Sequence, residues 1–239
     1  MGVGFIRDKL EIKFLILYVT AGVAEPMPLS DIQALTMIDD GIDYFDFSQC
    51  LNELVKTGHL RINDEQKYAI TPKGLKNSEI CQSSLPRSVR LKADRLIAAH
   101  RQELVRRAHE LGLGVIMDLV HAHYVKNLNE GINELDGTDH HYSLPGKAGY
   151  QPYWDSMLFD YGKDEVQHFL LSNVKYWLDE FHFDGYRFDG VTSMIYHHHG
   201  YVDFDCRERF FDAGVNGDAL TYLTLANRLV HDFRAGDVT

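Results

Sequence analysis

Phe183-Asp184-Gly185-Tyr186-Arg187-Phe188-Asp189-Gly190-Val191-Thr192-Ser193 reads as a short strand that breaks at a glycine and leaves an arginine and an aspartate near its carboxyl end. Side chains alternate between the faces of a strand, so Arg187 and Asp189 share one face while Tyr186 and Phe188 take the other. A guanidinium beside a carboxylate favours the ionised form. That suits a carboxylate nucleophile in covalent catalysis, and α/β folds place such groups at the ends of parallel strands. A structural ion pair capping an ordinary strand is the alternative at this point.

Two long apolar-periodic segments lead up to this strand. Residues 101–111 predict a helix, and Gly112 and Gly114 separate it from Val115-Ile116-Met117-Asp118-Leu119-Val120, a near-continuous apolar run of the kind buried on both faces. Residues 163–181 predict a second helix, with Val166, Phe169, Leu170, Val174, Trp177 and Leu178 spaced to face a sheet, and residues 218–233 predict a last one. Between them, residues 124–162 show no clear periodicity and read as a long functional loop. Alternating helices and parallel strands indicate a barrel or an open doubly wound sheet. The absence of a Gly-rich phosphate loop after either strand disfavours nucleotide chemistry and favours the barrel.

The amino-terminal part has another character. Of the 239 residues, 1–95 hold 12 Lys and Arg against 13 Asp and Glu, while 96–239 hold 12 against 22 together with 12 of the 13 histidines. An acidic second piece argues against binding a phosphate backbone and suits neutral polar substrates. In the first piece, helices are predicted from residue 8 to about 22, from 29 to about 38, and from 43 to 57. A hairpin around Asn63-Asp64-Glu65-Gln66-Lys67 follows, then a helix capped by Thr71 with Pro72 in its first turn. The apolar run 14–24 is too short to span a membrane, and Asp8 and Glu11 interrupt what a secretion signal would keep basic. Cys50, Cys81 and Cys206 lie far apart in no metal-ligand spacing, which suggests reduced thiols in a cytoplasmic protein.

Three helices, a hairpin and another helix resemble a winged helix. The stretches "DKLEIKFLILYV" (8–19), "DDGIDYFDFSQCLNELVKTGHL" (39–60), "YAITPKG" (68–74) and "SSLPRSVRLKA" (83–93) resemble a bacterial family of winged-helix proteins of uncharacterised function. Winged helices often read DNA with the third helix, but here that helix opens Asp43-Tyr44-Phe45-Asp46 and carries only Lys56 as a base. Its acidic front repels phosphates, so a protein contact or dimerisation fits better than weak DNA binding.

Farther along, "GVIMDLVHAH" (114–123) and "FDGYRFDGVTS" (183–193) resemble the first two signature regions of the alpha-amylase superfamily. The wording of 149–180, "MIYHHHG" and "DALTYLTLAN" is closest to 1,4-alpha-glucan branching enzymes. The resemblance covers about 101–239 and implies a TIM-type (β/α) barrel acting on α-glucan in glycogen or starch metabolism. It implies that Asp189 is the nucleophile and that Arg187 orients it. Asp118 and His123 would stand in the first sugar subsite, and Tyr150 and Trp154 on a glucan-facing loop, where Trp154 could equally be a loop anchor. Ala122 occupies the position of an asparagine calcium ligand, so no calcium is expected; no cofactor is implied, and the run His197-His198-His199 is expected to bind no metal.

A retaining glycosidase needs two carboxyl groups about 5 to 5.5 Å apart. The resemblance places the acid glutamate a few residues beyond Asp237-Val238-Thr239, and two of eight barrel strands are recognisable. The expectation is a winged-helix-like domain over 1–95, a junction over 96–100 between two unrelated gene fragments, and a partial, truncated barrel domain over 101–239 with negligible turnover. The alternative is a winged-helix regulatory or interaction protein with an inert appendage.

Overall fold

The computed structural model describes residues 4–6, 8–126, 134, 137, 138 and 140–236, the side chains of 234–236 excepted. Residues 237–239, next to which the resemblance puts the acid glutamate, lie outside the described residues. The chain divides into two compact units, Met1–Leu104 and Val105–Thr239.

The first unit is built on α1 (Lys9–Val23), capped by the Asp8 carboxylate, which accepts from the backbone N–H groups of Leu10 and Glu11. Capping of this kind satisfies amides that a helix start leaves unpaired. Asp43 does the same for α3 (Tyr44–Lys56) and Thr71 for α4 (Pro72–Cys81). Around them lie α2 (Leu29–Thr36) and an antiparallel hairpin, β1 (Leu60–Ile62) with β2 (Tyr68–Ile70). Leu15, Ile16, Val19, Phe47 and Leu51 form the centre of one apolar core.

Beyond α4, α5 (Arg87–Glu110) is longer than the sequence suggests. It begins after Pro86, and Val89, Ala93 and Ile97 lay a stripe into the core of the first unit. That stripe is easily overlooked because its first two members, Val89 and Ala93, stand next to charged residues. Residues 96–100 therefore sit within one unbroken helix.

In the second unit, β3 (Ile116–Leu119) and β7 (Gly185–Phe188) pair in parallel, with Asp118 opposite Arg187 and Leu119 opposite Phe188. The helix α6 (Asp164–Phe181) precedes β7 and buries Val166, Leu170, Val174, Leu178 and Phe181, a stripe at intervals of four and three. Gly112, with φ +73°, ends α5 in a conformation that favours glycine. The expected loop is partly ordered as β4 (His123–Val125), β5 (Tyr150–Gln151) and β6 (Ser156–Leu158), an antiparallel sheet in the order β4-β6-β5. Strands this short give no readable periodicity, which is why sequence reading takes them for loop. Then come α7 (Val191–Ile195) and α8 (Gly217–Gly236), whose Ala219, Tyr222 and Ala226 are fully buried beside α6. The chain is mixed helix and strand, and among the described residues the sheets are small and no barrel closes.

A buried polar network ties these pieces together. His121 follows β3 and is buried; its Nδ1 lies 2.5 Å from the Tyr222 hydroxyl and its Nε2 3.0 Å from Asn173 Oδ1. The indole N–H of Trp177 donates to the same Asn173 oxygen, so that atom is an acceptor. Nε2 of His121 therefore carries the proton, and Nδ1 accepts from Tyr222. The hydroxyl of Tyr161 donates to the His121 carbonyl, and its ring stacks on Tyr222.

Burial lowers the His121 pKa below its ordinary value, against a smaller opposing effect of Asn173. Below pH about 6.5 the unfolded chain then binds the proton more readily than the folded one. The stability of this unit should be full above that pH and fall as pH drops through the depressed folded value. Both tryptophans, Trp154 and Trp177, lie in the second unit, so urea melts followed by tryptophan fluorescence at pH 7.5 and 5.5 report on it alone. His121→Gln should lower stability at pH 7.5 by roughly 1–3 kcal/mol through unpaired buried partners and shrink the pH difference, leaving a part due to His123.

Ile116 on β3 is 68% exposed, and Leu111, Leu113 and Val120 are also exposed. Among the described residues no third strand pairs with β3 or β7. Open apolar strand edges promote association. Ile116→Lys should reduce concentration-dependent light scattering while changing stability by no more than about 0.5 kcal/mol.

Candidate active site

The parallel register of β3 and β7 sets Asp118 directly across from Arg187. Alternation along β7 brings Asp189 onto the same side, one residue past the strand end, with its N–H still bonded to the Leu119 carbonyl at 3.0 Å. Arg187 bridges the two acids: Nη1 donates to Asp118 Oδ2 at 3.0 Å and Nη2 to Asp189 Oδ1 at 3.2 Å. The hydrogen bond it donates to Asp118 is the largest of several influences that raise the arginine pKa. All three side chains are more than half exposed, so neither pair adds much to the stability of the fold. Three charged groups converging at such modest structural value fit a site better than a structural cap.

Gly190 follows with φ +67°, and a Cβ there would meet the Ala122 methyl at 3.0 Å. Glycine takes this position without strain, and any side chain there would strain the turn that exposes Asp189. Trp154, in the turn between β5 and β6, brings its ring edge to 4.0 Å from the same point. His123 stacks on Trp154 with ring centroids 4.7 Å apart and planes 30° from parallel. Burial lowers the His123 pKa, and the Asp189 charge opposes that shift. Asp118, Arg187, Asp189, His123 and Trp154 thus gather on one side of the strand ends.

Tyr150 makes other contacts. Its hydroxyl donates to Asp155 Oδ1 at 2.7 Å, and the Lys126 ammonium lies 4.9 Å from its ring centroid. Trp154 already holds His123 on its ring, so it acts at least in part as an anchor. Ala122 is buried and offers only a methyl group. In the histidine run, the His199 Nδ1–H donates to the Ser193 carbonyl, while His198 stacks on Tyr196. Among the described residues no group of three or more His, Cys, Asp or Glu could hold a metal ion.

Asp184, on the other face of β7, accepts from the Val115 N–H and from His109, which marks it as a fastener for the start of β3. Sequence reading did not single out His121, Tyr161, Asn173 or Tyr222 beneath the site. A polar Asn173 within the apolar stripe of α6, and a histidine directly after the apolar run of β3, were the available signals.

Residues 12–111 match the family described as "Domain of unknown function (DUF4364)". A second similarity is to proteins named 1,4-alpha-glucan-branching enzyme. It is 52% identity over 138 residues with that of Dictyostelium discoideum, covering 58% of this chain and 20% of the relative. With the enzyme of Equus caballus it is 50% over 141 residues, again 58% and 20%. With the Arabidopsis thaliana chloroplastic/amyloplastic enzyme 2-2 it is 52% over 132 residues, 54% of this chain and 16% of the relative. The chain spans about a fifth of the length of the curated relatives it matches, and that segment is similar to branching enzymes across amoeba, animal and plant.

Proposed function

We propose that the second unit is part of an α-glucan-active, retaining glycosyl-transfer site of the branching-enzyme kind, with Asp189 as its nucleophile. The observation that carries the reading is the Arg187 guanidinium bridging Asp118 and Asp189 at the carboxyl ends of two paired parallel strands. In the first step an Asp189 oxygen attacks the anomeric carbon, the bond to the leaving oxygen breaks, and a covalent glycosyl ester forms. Arg187 holds the nucleophile in place, His123 presents its ring to sugar hydroxyls, and Trp154 and Tyr150 supply aromatic surface. The fold that accompanies this reading is a partial (β/α) barrel, supported by the helix-linked parallel pair β3–β7.

Protonation of the leaving oxygen needs a second carboxyl group. Among the described residues none stands ready: Asp118 accepts from Arg187, and Asp184 serves the opposite face. No metal or cofactor has a part in this chemistry. The reading of the first unit is a winged helix, supported by the element order, the hairpin and a Met27–Tyr68 bridge that adds a third extended segment. Its third helix presents Phe45, 83% exposed, and Tyr44 beside Asp43, which favours a protein partner over DNA. Free cysteines and the lack of any described helix long and apolar enough to cross a membrane accord with a cytoplasmic location.

The test uses α-glucosyl fluoride, whose fluoride leaves with the bonding electrons and without an acid. The 239-residue chain should gain one glucosyl unit at Asp189, read by mass spectrometry of its peptides. The adduct should accumulate, because among the described residues no second carboxylate is placed to activate water against it. Asp189→Ala should abolish labelling, and Arg187→Ala should slow it by roughly 10²-fold or more through lost positioning. Branching of native α-1,4-glucan, followed by iodine staining, should stay near background. An unlabelled wild-type Asp189 would sink the assignment.

A further inference from the structure

Asn216-Gly217 is the only Asn-Gly step in the 239 residues, and it stands at the start of α8. Asn216 caps that helix: its Oδ1 accepts from the backbone N–H groups of Asp218 at 3.1 Å and Ala219 at 3.2 Å. Its own N–H donates to the Ile195 carbonyl at 2.8 Å, at the end of α7. Satisfying first-turn amides is what a capping side chain does. At an Asn-Gly step the same bonds have a chemical effect as well.

Two amides on Oδ1 draw electron density from the Asn216 Cγ and stabilise negative charge that forms on that oxygen when a nucleophile adds, in the manner of an oxyanion hole. The nucleophile is the next nitrogen in the chain. Gly217 opens the helix, so its N–H is one of those a helix start leaves unpaired, and among the described residues no acceptor takes it. Gly217 is exposed, and a Cβ there would meet nothing within 4 Å. With no side chain and open space around it, its peptide can turn toward Cγ unhindered. Asn63 supplies the comparison within the chain. Its Oδ1 also accepts from two amides, Glu65 N at 3.1 Å and Lys67 N at 2.9 Å, but the residue after it is Asp64, whose side chain crowds the attacking nitrogen.

We propose that Asn216 is a site of spontaneous deamidation, with water as the only co-reactant. The Gly217 nitrogen attacks Cγ, the N–Cγ bond forms as the Cγ–Nδ2 bond breaks, and the proton of the Gly217 N–H leaves with Nδ2 as ammonia. Water then opens the resulting succinimide ring at one of its two carbonyls. Breaking the new N–Cγ bond leaves aspartate at 216 with the original main chain. Breaking the original peptide bond leaves isoaspartate, whose main chain runs through Cγ and is one methylene longer.

The two products act on the fold in opposite senses. Aspartate keeps the cap and adds a charge that favours a helix start. Isoaspartate takes the capping oxygen into the main chain. It also lengthens the chain between two fixed points, the Asn216 N–H on Ile195 and the fully buried Ala219. Tyr222, one turn on, donates to His121, so a displaced α8 loosens the turn after β3. The proposal stands whether or not the second unit acts on glucan.

The test is incubation of the full 239-residue chain at pH 8.5 and 37 °C, with peptide mapping that separates the asparaginyl, aspartyl and isoaspartyl forms over time. Position 216 should convert to both products about tenfold faster than Asn63, or more, each event adding one negative charge to the net -11. Gly217→Ala should slow conversion at 216 by a similar factor and leave Asn63 unchanged. In urea melts followed by tryptophan fluorescence, the aged chain should show a less stable fraction that matches its isoaspartyl content. Asn216→Asp should melt no lower than the fresh chain. Asn216 left intact while Asn63 converts, or equal conversion in Gly217→Ala, overturns the proposal. So does faster conversion at 216 in the urea-unfolded chain than in the folded one, since the cap would then protect the side chain.

Discussion

The parallel ladder between β3 and β7 is the constraint on which the second unit depends. Its register puts Asp118 opposite Arg187, and strand alternation then delivers Asp189 to the same guanidinium. A slip of one residue would send Arg187 to the face now held by Tyr186 and Phe188. The apolar face therefore protects the polar one: Tyr186 and Phe188 pack into the core formed with α6 and α8, and their burial holds the register that the charged groups are too exposed to enforce.

Beneath that face, a polar core does what apolar packing cannot. Leu119 and Phe188 accept many orientations of the turn that follows β3. The hydrogen bonds of His121 to Tyr222 and Asn173, and of Tyr161 to the His121 carbonyl, accept essentially one. The turn so held carries Ala122 against Gly190 and His123 against Trp154, which brings strand and hairpin residues to the Asp189 turn. A buried network is rigid when every member is satisfied, and here the neutral tautomer of His121 satisfies both of its partners.

Much of the fold was legible in the residues. Helix caps at Asp8, Asp43 and Thr71, the four-residue stripe of α6 and the apolar run of β3 are local signals, because capping and amphipathic burial act within a few residues along the chain. The early start of α5 escaped, since Val89 and Ala93 stand singly next to charges. The sheet β4-β6-β5 escaped because strands of two or three residues are held by partners, not by their own pattern. Of the candidate site, Arg187 and Asp189 could be named from motif and alternation, and Asp118, His123, Tyr150 and Trp154 from resemblance.

By itself, then, the chain's order of residues determined the capped and amphipathic helices, the β3 and β7 runs and which charged groups share a strand face, since those depend on periods of 3.6 and 2. The tertiary structure alone decided that Trp154 rests on His123, that Tyr150 turns to Asp155, and that Ser193 lies buried without a partner. Those outcomes join residues up to about thirty positions apart, through packing whose geometry is specified only once both neighbours are in place.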